Sequence, residues 1–184
     1  MDELKSAWEI AQERAGRLGD LSAEEQKEQQ RQRCHQVGQV LAGRWLDGSE
    51  KTDLASELGK HGEEDTAMVR ESIIQHLVQV VEPAAVGSID RVTTAIEGIS
   101  RLAPELETGV DEARKLLHEY QEAERKARQD VESGYMETLH RLRISGTAVA
   151  GINIETSEDW QAARQRLIDA FSPRFDDLKR TLTL

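Results

Sequence analysis

Glu137 and His140 stand three residues apart as Glu-x-x-His. On a helix that spacing sets a carboxylate and an imidazole on one face. Di-iron carboxylate bundles use the motif twice, together with two further glutamates. This sequence has no second Glu-x-x-His, so the ligand count of a di-metal centre is not met. His61 adjoins Glu63, Glu64 and Asp65, a cluster that could take a metal by opportunity and that more often forms a solvated acidic loop. His118 and Glu122 lie four apart and read as a surface pair, while His35 and His76 flank apolar stripes and read as packing residues. Cys34 has Arg31, Arg33 and His35 nearby, and cationic neighbours favour the thiolate. A nucleophile also needs a base oriented by a third group, which spacing does not reveal, so the expectation is a half-buried structural thiol. Gly146 to Gly151 is not followed by Lys-Ser or Lys-Thr, so it is not a phosphate-cradling loop. No catalytic, cofactor-binding or metal-ligating residue is assigned, and no cofactor is expected.

The elements that would position such residues follow from composition. A chain of 184 residues is long enough for one domain with a real core. Aromatics make up only 4% and there are three prolines, so the core must be Leu, Ile, Val and Ala on helices with narrow stripes rather than a β-sandwich. The formal net charge of −11 argues against a nucleic-acid backbone as partner and against anionic membrane surfaces; it reads as solubility. One cysteine makes no intrachain disulfide and points to a reducing compartment. The start, MDELKSAWEIAQER, is acidic and amphipathic, with no basic opening or apolar run, and does not read as a signal peptide. No stretch approaches the roughly 18 apolar residues of a membrane span. The expected location is cytoplasmic.

The stretch 106–142 is the organising element. Val110, Ala113, Leu117 and Tyr120 step by three and four, Glu124 takes the next seam position, and Ala127 and Val131 continue it. Then Val131, Tyr135 and Leu139 step four and four, a slip that unwinds a supercoil. Gly134 sits at the slip, which predicts a bend or a change of partner there. As a helix this stretch would be a rod of roughly 55 Å. Around it, Leu4, Trp8, Ala11, Ala15 and Leu18 form a stripe ended by Gly19. A capping box at Ser22–Glu25 opens a helix that is polar through Arg33 and then carries Cys34, Val37, Leu41 and Trp45, with Val40 beside them, closing at Asp47-Gly48. Leu54 and Leu58 predict a short helix ending at Gly59, and 66–81 is the most apolar helix, stopped by Pro83. Ile89, Val92, Ile96 and Ile99 predict a helix, with a strand as the competing reading because so many residues are β-branched. The segment 145–154 is small and apolar with two glycines, and is expected to be packed as a hairpin or loop. Ser157 caps a helix with Trp160, Ala163, Leu167 and Phe171, and Ser172-Pro173 marks a boundary before a last short helix with Phe175, Leu178 and Leu182.

Two stretches, LGDLSAEEQ (18–26) and SGTAVAGIN (145–153), resemble segments of uncharacterised bacterial proteins of similar length. The resemblance implies a bacterial, soluble, helical protein and carries no activity, site or substrate.

The fold expected is all-α: an elongated bundle of six to eight helices around the 106–142 helix, a single domain over 1–184 in which 1–48 can stand as a semi-independent arm. A rod of roughly 55 Å overshoots a compact monomer of this length, about 40 Å across. Part of its seam is therefore expected to reach beyond the other helices unless the 2–18 and 34–46 stripes fold back over it. The functional expectation is a non-enzymatic scaffold or adaptor that self-associates, as a dimer, and engages other proteins rather than nucleic acid or membrane. The interaction residues expected are Trp8, Val110, Leu117, Tyr120, Val131 and Tyr135. The competing reading is a small-molecule- or metal-binding bundle with a sensory or enzymatic role. Convergent His and Glu in a pocket would favour it, and an exposed apolar seam would favour the scaffold.

Overall fold

The structure, a computed structural model, describes residues 23–48, 53–83, 89–143 and 154–183. Among them there are six α-helices and no strand: α1 (Ala23–Leu46), α2 (Leu54–Leu58), α3 (Glu63–Val80), α4 (Ile89–Leu102), α5 (Glu107–Arg141) and α6 (Glu158–Leu182). Single 3-10 turns lie at Pro104–Leu106 and Ile154–Thr156. Trp8 and the 2–18 stripe, Ser22, and the 145–153 part of the glycine-containing segment fall outside the described residues. So does Ser88.

Local chemistry sets several boundaries. Asp53 caps α2 by accepting a hydrogen bond from the Ala55 N–H (3.2 Å), and Ser157 caps α6 by accepting from the Trp160 N–H (3.2 Å). Gly48, at φ 68°, turns the chain out of α1 in a conformation that a Cβ would oppose. α4 is helical despite its β-branched residues. Val92, Ala95, Ile96, Ile99 and Leu102 fall on one side and are all buried, and packing of such a face outweighs propensity.

α1 and α3 lie side by side and run in the same direction. Gln30 Nε2 donates to Asp65 (2.6 Å), and further along both helices Ser72 meets His35. α2 lies between them in sequence. Gly38 permits the close approach, since a Cβ there would lie 2.5 Å from Ser72 Cβ and Oγ and 3.0 Å from the Val69 carbonyl. Ser72 is buried but satisfied: its hydroxyl donates to the His35 carbonyl (3.0 Å) and lies 3.0 Å from His35 Nδ1.

α4 crosses back antiparallel to α3, with Arg70 Nε donating to the Leu102 carbonyl (2.7 Å). It also receives Trp45, whose Nε1 donates to the Thr94 carbonyl (2.8 Å) and whose ring carries the Arg101 guanidinium 4.8 Å from its centroid. α5 and α6 form an antiparallel hairpin. Arg174 pairs with Glu119 at 2.6 Å. The rings of Phe171 and Phe175 meet Tyr120 edge-on at 5.3 and 6.3 Å. Near the other end Arg128 pairs with Glu155 at 2.8 Å. α4 lies along the first half of α5, so one continuous core draws on all six helices.

Several expected boundaries move. α3 begins at Glu63 rather than 66. The long helix begins at Glu107, after Pro104 has opened a 3-10 turn, and runs unbroken through Gly134. Ser172-Pro173 is not a boundary: α6 continues through Pro173 to Leu182. Pro173 is exposed, and Phe171 and Phe175 hold the helix to Tyr120 on either side of it. Val40, expected beside the α1 stripe, is 53% exposed.

Candidate interaction surface

α5 has two unlike halves. Val110, Ala113, Leu116, Leu117 and Tyr120 are buried beneath α4 and α6. Beyond Tyr120 no residue of α5 is fully buried, because α4 has ended and, among the described helices, α6 alone accompanies it. Ala127, Val131, Tyr135 and Leu139 are half-buried there, and Met136 and Leu142 are 55% and 63% exposed. The two helices thus leave the core as an arm. A groove of ≈ 720 Å³ runs along it, floored by Ala127, Val131, Ala163 and Leu167, with Gly134 and Tyr135 further out. Ala162 and Ala163 keep the α6 side shallow.

The six residues expected at an interface are therefore divided. The apolar surfaces of Val110, Leu117 and Tyr120 are covered within the chain, so these three belong to the core. Val131 and Tyr135 line the groove. Trp8 lies outside the described residues. The slip from 131 to 135 to 139, read as a bend or a change of partner, falls on the stretch of α5 that lines this groove. Its α6 side had no signal of its own, since Ala162 and Ala163 read as ordinary helix formers.

A second, polar hollow of ≈ 580 Å³ lies where the arm joins the core. Its walls include Ile89, Glu124, Arg128, Trp160 and Arg164. Burial, reinforced by the charge of Glu155, pushes the Glu124 carboxyl up, against the pull of Arg164 and Arg128. Burial and then the charge of Glu124 push the Tyr120 phenol up. Arg164 opposes this rise through its charge and a hydrogen bond to the phenol, while its buried Nε has no hydrogen-bond partner among the described residues.

The remaining candidates are occupied elsewhere. Cys34 is buried, and its thiol donates to Asp65 (3.5 Å). Burial first, then that hydrogen bond and the Asp65 charge, push it up. The thiolate that Arg31 and Arg33 would favour is thus disfavoured by what the thiol touches. Asp65 is engaged by Gln30 and Cys34 rather than His61. Glu137 pairs with Arg141 (3.3 Å) and Glu122 with Arg125 (2.6 Å). Among the described residues no three His, Cys, Asp or Glu side chains gather to hold a metal ion, and no helix is long and apolar enough to cross a membrane.

Comparison with protein-family models, curated proteins and solved structures finds no match to this chain.

Proposed function

We propose that the chain is a non-enzymatic interaction protein, a scaffold or adaptor that self-associates through the α5–α6 arm. The observation that carries this reading is the groove, an apolar surface that one partner helix leaves half covered. Such surfaces on soluble proteins mark contact sites. A cytoplasmic setting belongs to the same reading and rests on the single cysteine and the acidic balance.

Sedimentation velocity across a concentration series tests it. The wild type is expected to shift from monomer toward dimer as concentration rises. Val131→Asp is expected to remain a folded monomer, because it sets an unpaired charge in the groove. Leu117→Asp is expected to lose helicity at every concentration, because the charge falls in the core. A wild type monomeric throughout the series overturns the reading.

A second reading has one observation in its favour. Arg164 Nε is a buried donor with no hydrogen-bond partner among the described residues, on the wall of a polar hollow, and such a donor fits a small anionic ligand. A rise in melting temperature with benzoate or inorganic phosphate, absent in Arg164→Ala, would support it; the same melt with and without either compound would count against it.

A further inference from the structure

The groove is self-complementary. We infer that its occupant is the same groove on a second copy of this chain, laid across it nearly antiparallel about a two-fold axis; this rests on the self-association reading above. Asp130, Tyr135, Asp159 and Arg166 all line the groove, and no hydrogen bond or ion pair of the described structure engages their side chains. Asp159 and Arg166 are seven residues apart, hence on one face of α6 and about 10 Å apart along it. Because α6 runs antiparallel to α5, Arg166 marks the end of the groove near Ala127 and Asp159 the end near Tyr135.

A two-fold axis crossing the arm at mid-groove reverses this polarity in the second copy. It brings Arg166 over Asp159 of the second copy, and Asp159 over its Arg166. The same operation treats α5 consistently. About a centre between residues 132 and 133, Asp130 falls on Tyr135 of the second copy, where the phenol donates to the carboxylate. Val131 falls on Gly134, a side chain that projects onto a residue without one. Ala127 falls on Thr138, and on α6 Ala162 falls on Ala163. One operator thus pairs charge with opposite charge, donor with acceptor and large with small, as an isologous interface requires. Gly134 gains a role here. A Cβ on it would meet nothing within 4 Å among the described residues, so their packing does not require the glycine.

Sedimentation equilibrium on full-length variants tests the pairing, with circular dichroism to confirm the fold. Asp159→Arg alone and Arg166→Asp alone are each expected to weaken self-association about tenfold or more, because each puts like charges together at both ends of the groove. An equimolar mixture of the two variants restores complementarity at both ends and is expected to associate as a heterodimer. Gly134→Ala is expected to raise the melting temperature, from helix propensity, and yet weaken association, from the collision with Val131. If the wild type associates but the reversals do not weaken it, or the mixture does not recover, the two-fold pairing is overturned and self-association through some other surface stands. If the wild type does not associate at all, both readings fall and the groove belongs to a different partner.

Discussion

Glu124 occupies a seam position of α5 between Tyr120 and Ala127, half-buried at the junction of core and arm. Its place in an otherwise apolar seam is visible in the sequence, and so is the conflict it creates. The sign of its titration is not visible, because that depends on burial and on Arg164 and Glu155 arriving from other elements, with Arg128 one turn away on the same helix. Its carboxyl is raised in the folded chain. The folded state therefore holds the proton more tightly than the unfolded state, and stability falls as pH rises from the ordinary carboxylate range through the raised value. Glu124→Gln is expected to be more stable than the wild type at neutral pH, with the difference vanishing in acid; urea midpoints at several pH values would show it. Cys34 behaves in the same spirit. A thiol pushed up by burial and by Asp65 is expected to react with a chromogenic disulfide far more slowly in the native chain than in urea. The glycines divide by surroundings. Gly38→Ala forces a methyl against Ser72 and the Val69 backbone. An overpacking cost of about 1–3 kcal/mol outweighs the helix propensity it recovers, so the denaturant midpoint should fall.

Among the elements, the helices were legible wherever one apolar stripe kept its phase. α2, α4 and the capped start of α6 were read to within a residue or two, because Gly59 and Ser157 act on their own backbone neighbours and the α4 stripe keeps its phase. Pro173 was misread for an instructive reason. Proline lacks the N–H that would reach the Asp169 carbonyl, and by local rules it ends a helix. The Phe171 and Phe175 contacts to Tyr120 span the defect and hold the axis. The defect remains as a cost, so Pro173→Ala is expected to raise stability by about 2 kcal/mol, the restored bond and propensity less the flexibility gained by the unfolded chain. α5 was legible in length but not in its division, since its seam looks alike before and after Glu124 and only the end of α4 separates the halves. That division has a kinetic counterpart. Backbone amides of 126–140 are expected to exchange hydrogen for deuterium faster than those of 111–120, because the arm can open without disturbing the core. Equal protection along the whole helix would contradict this.

At the scale of the whole molecule, all-α architecture and a shared core followed from composition and pattern, while the pairing of helices did not. The stripes of α1, α3 and α4 are chemically alike, and nothing in them states which lies beside which or in what sense. The parallel course of α1 and α3, made possible at Gly38 and Ser72, is the clearest case. It has an electrostatic consequence. The peptide dipoles of α5 and α6 oppose each other and largely cancel, whereas those of α1 and α3 add. The first turns of both parallel helices carry acids, Glu24 and Glu25 on one and Glu63, Glu64 and Asp65 on the other. In a chain of net charge −11, removing a carboxylate ordinarily relieves self-repulsion. At the start of α3, which lies beside Gln30 and Cys34 of α1, the opposite is expected. Neutralising Glu63 and Glu64 together as glutamines should lower stability by about 0.3–1 kcal/mol for each charge at low ionic strength, and the loss should fade in high salt. The surplus of acid is thus unevenly useful: a pair of dipoles pointing the same way requires part of it in place.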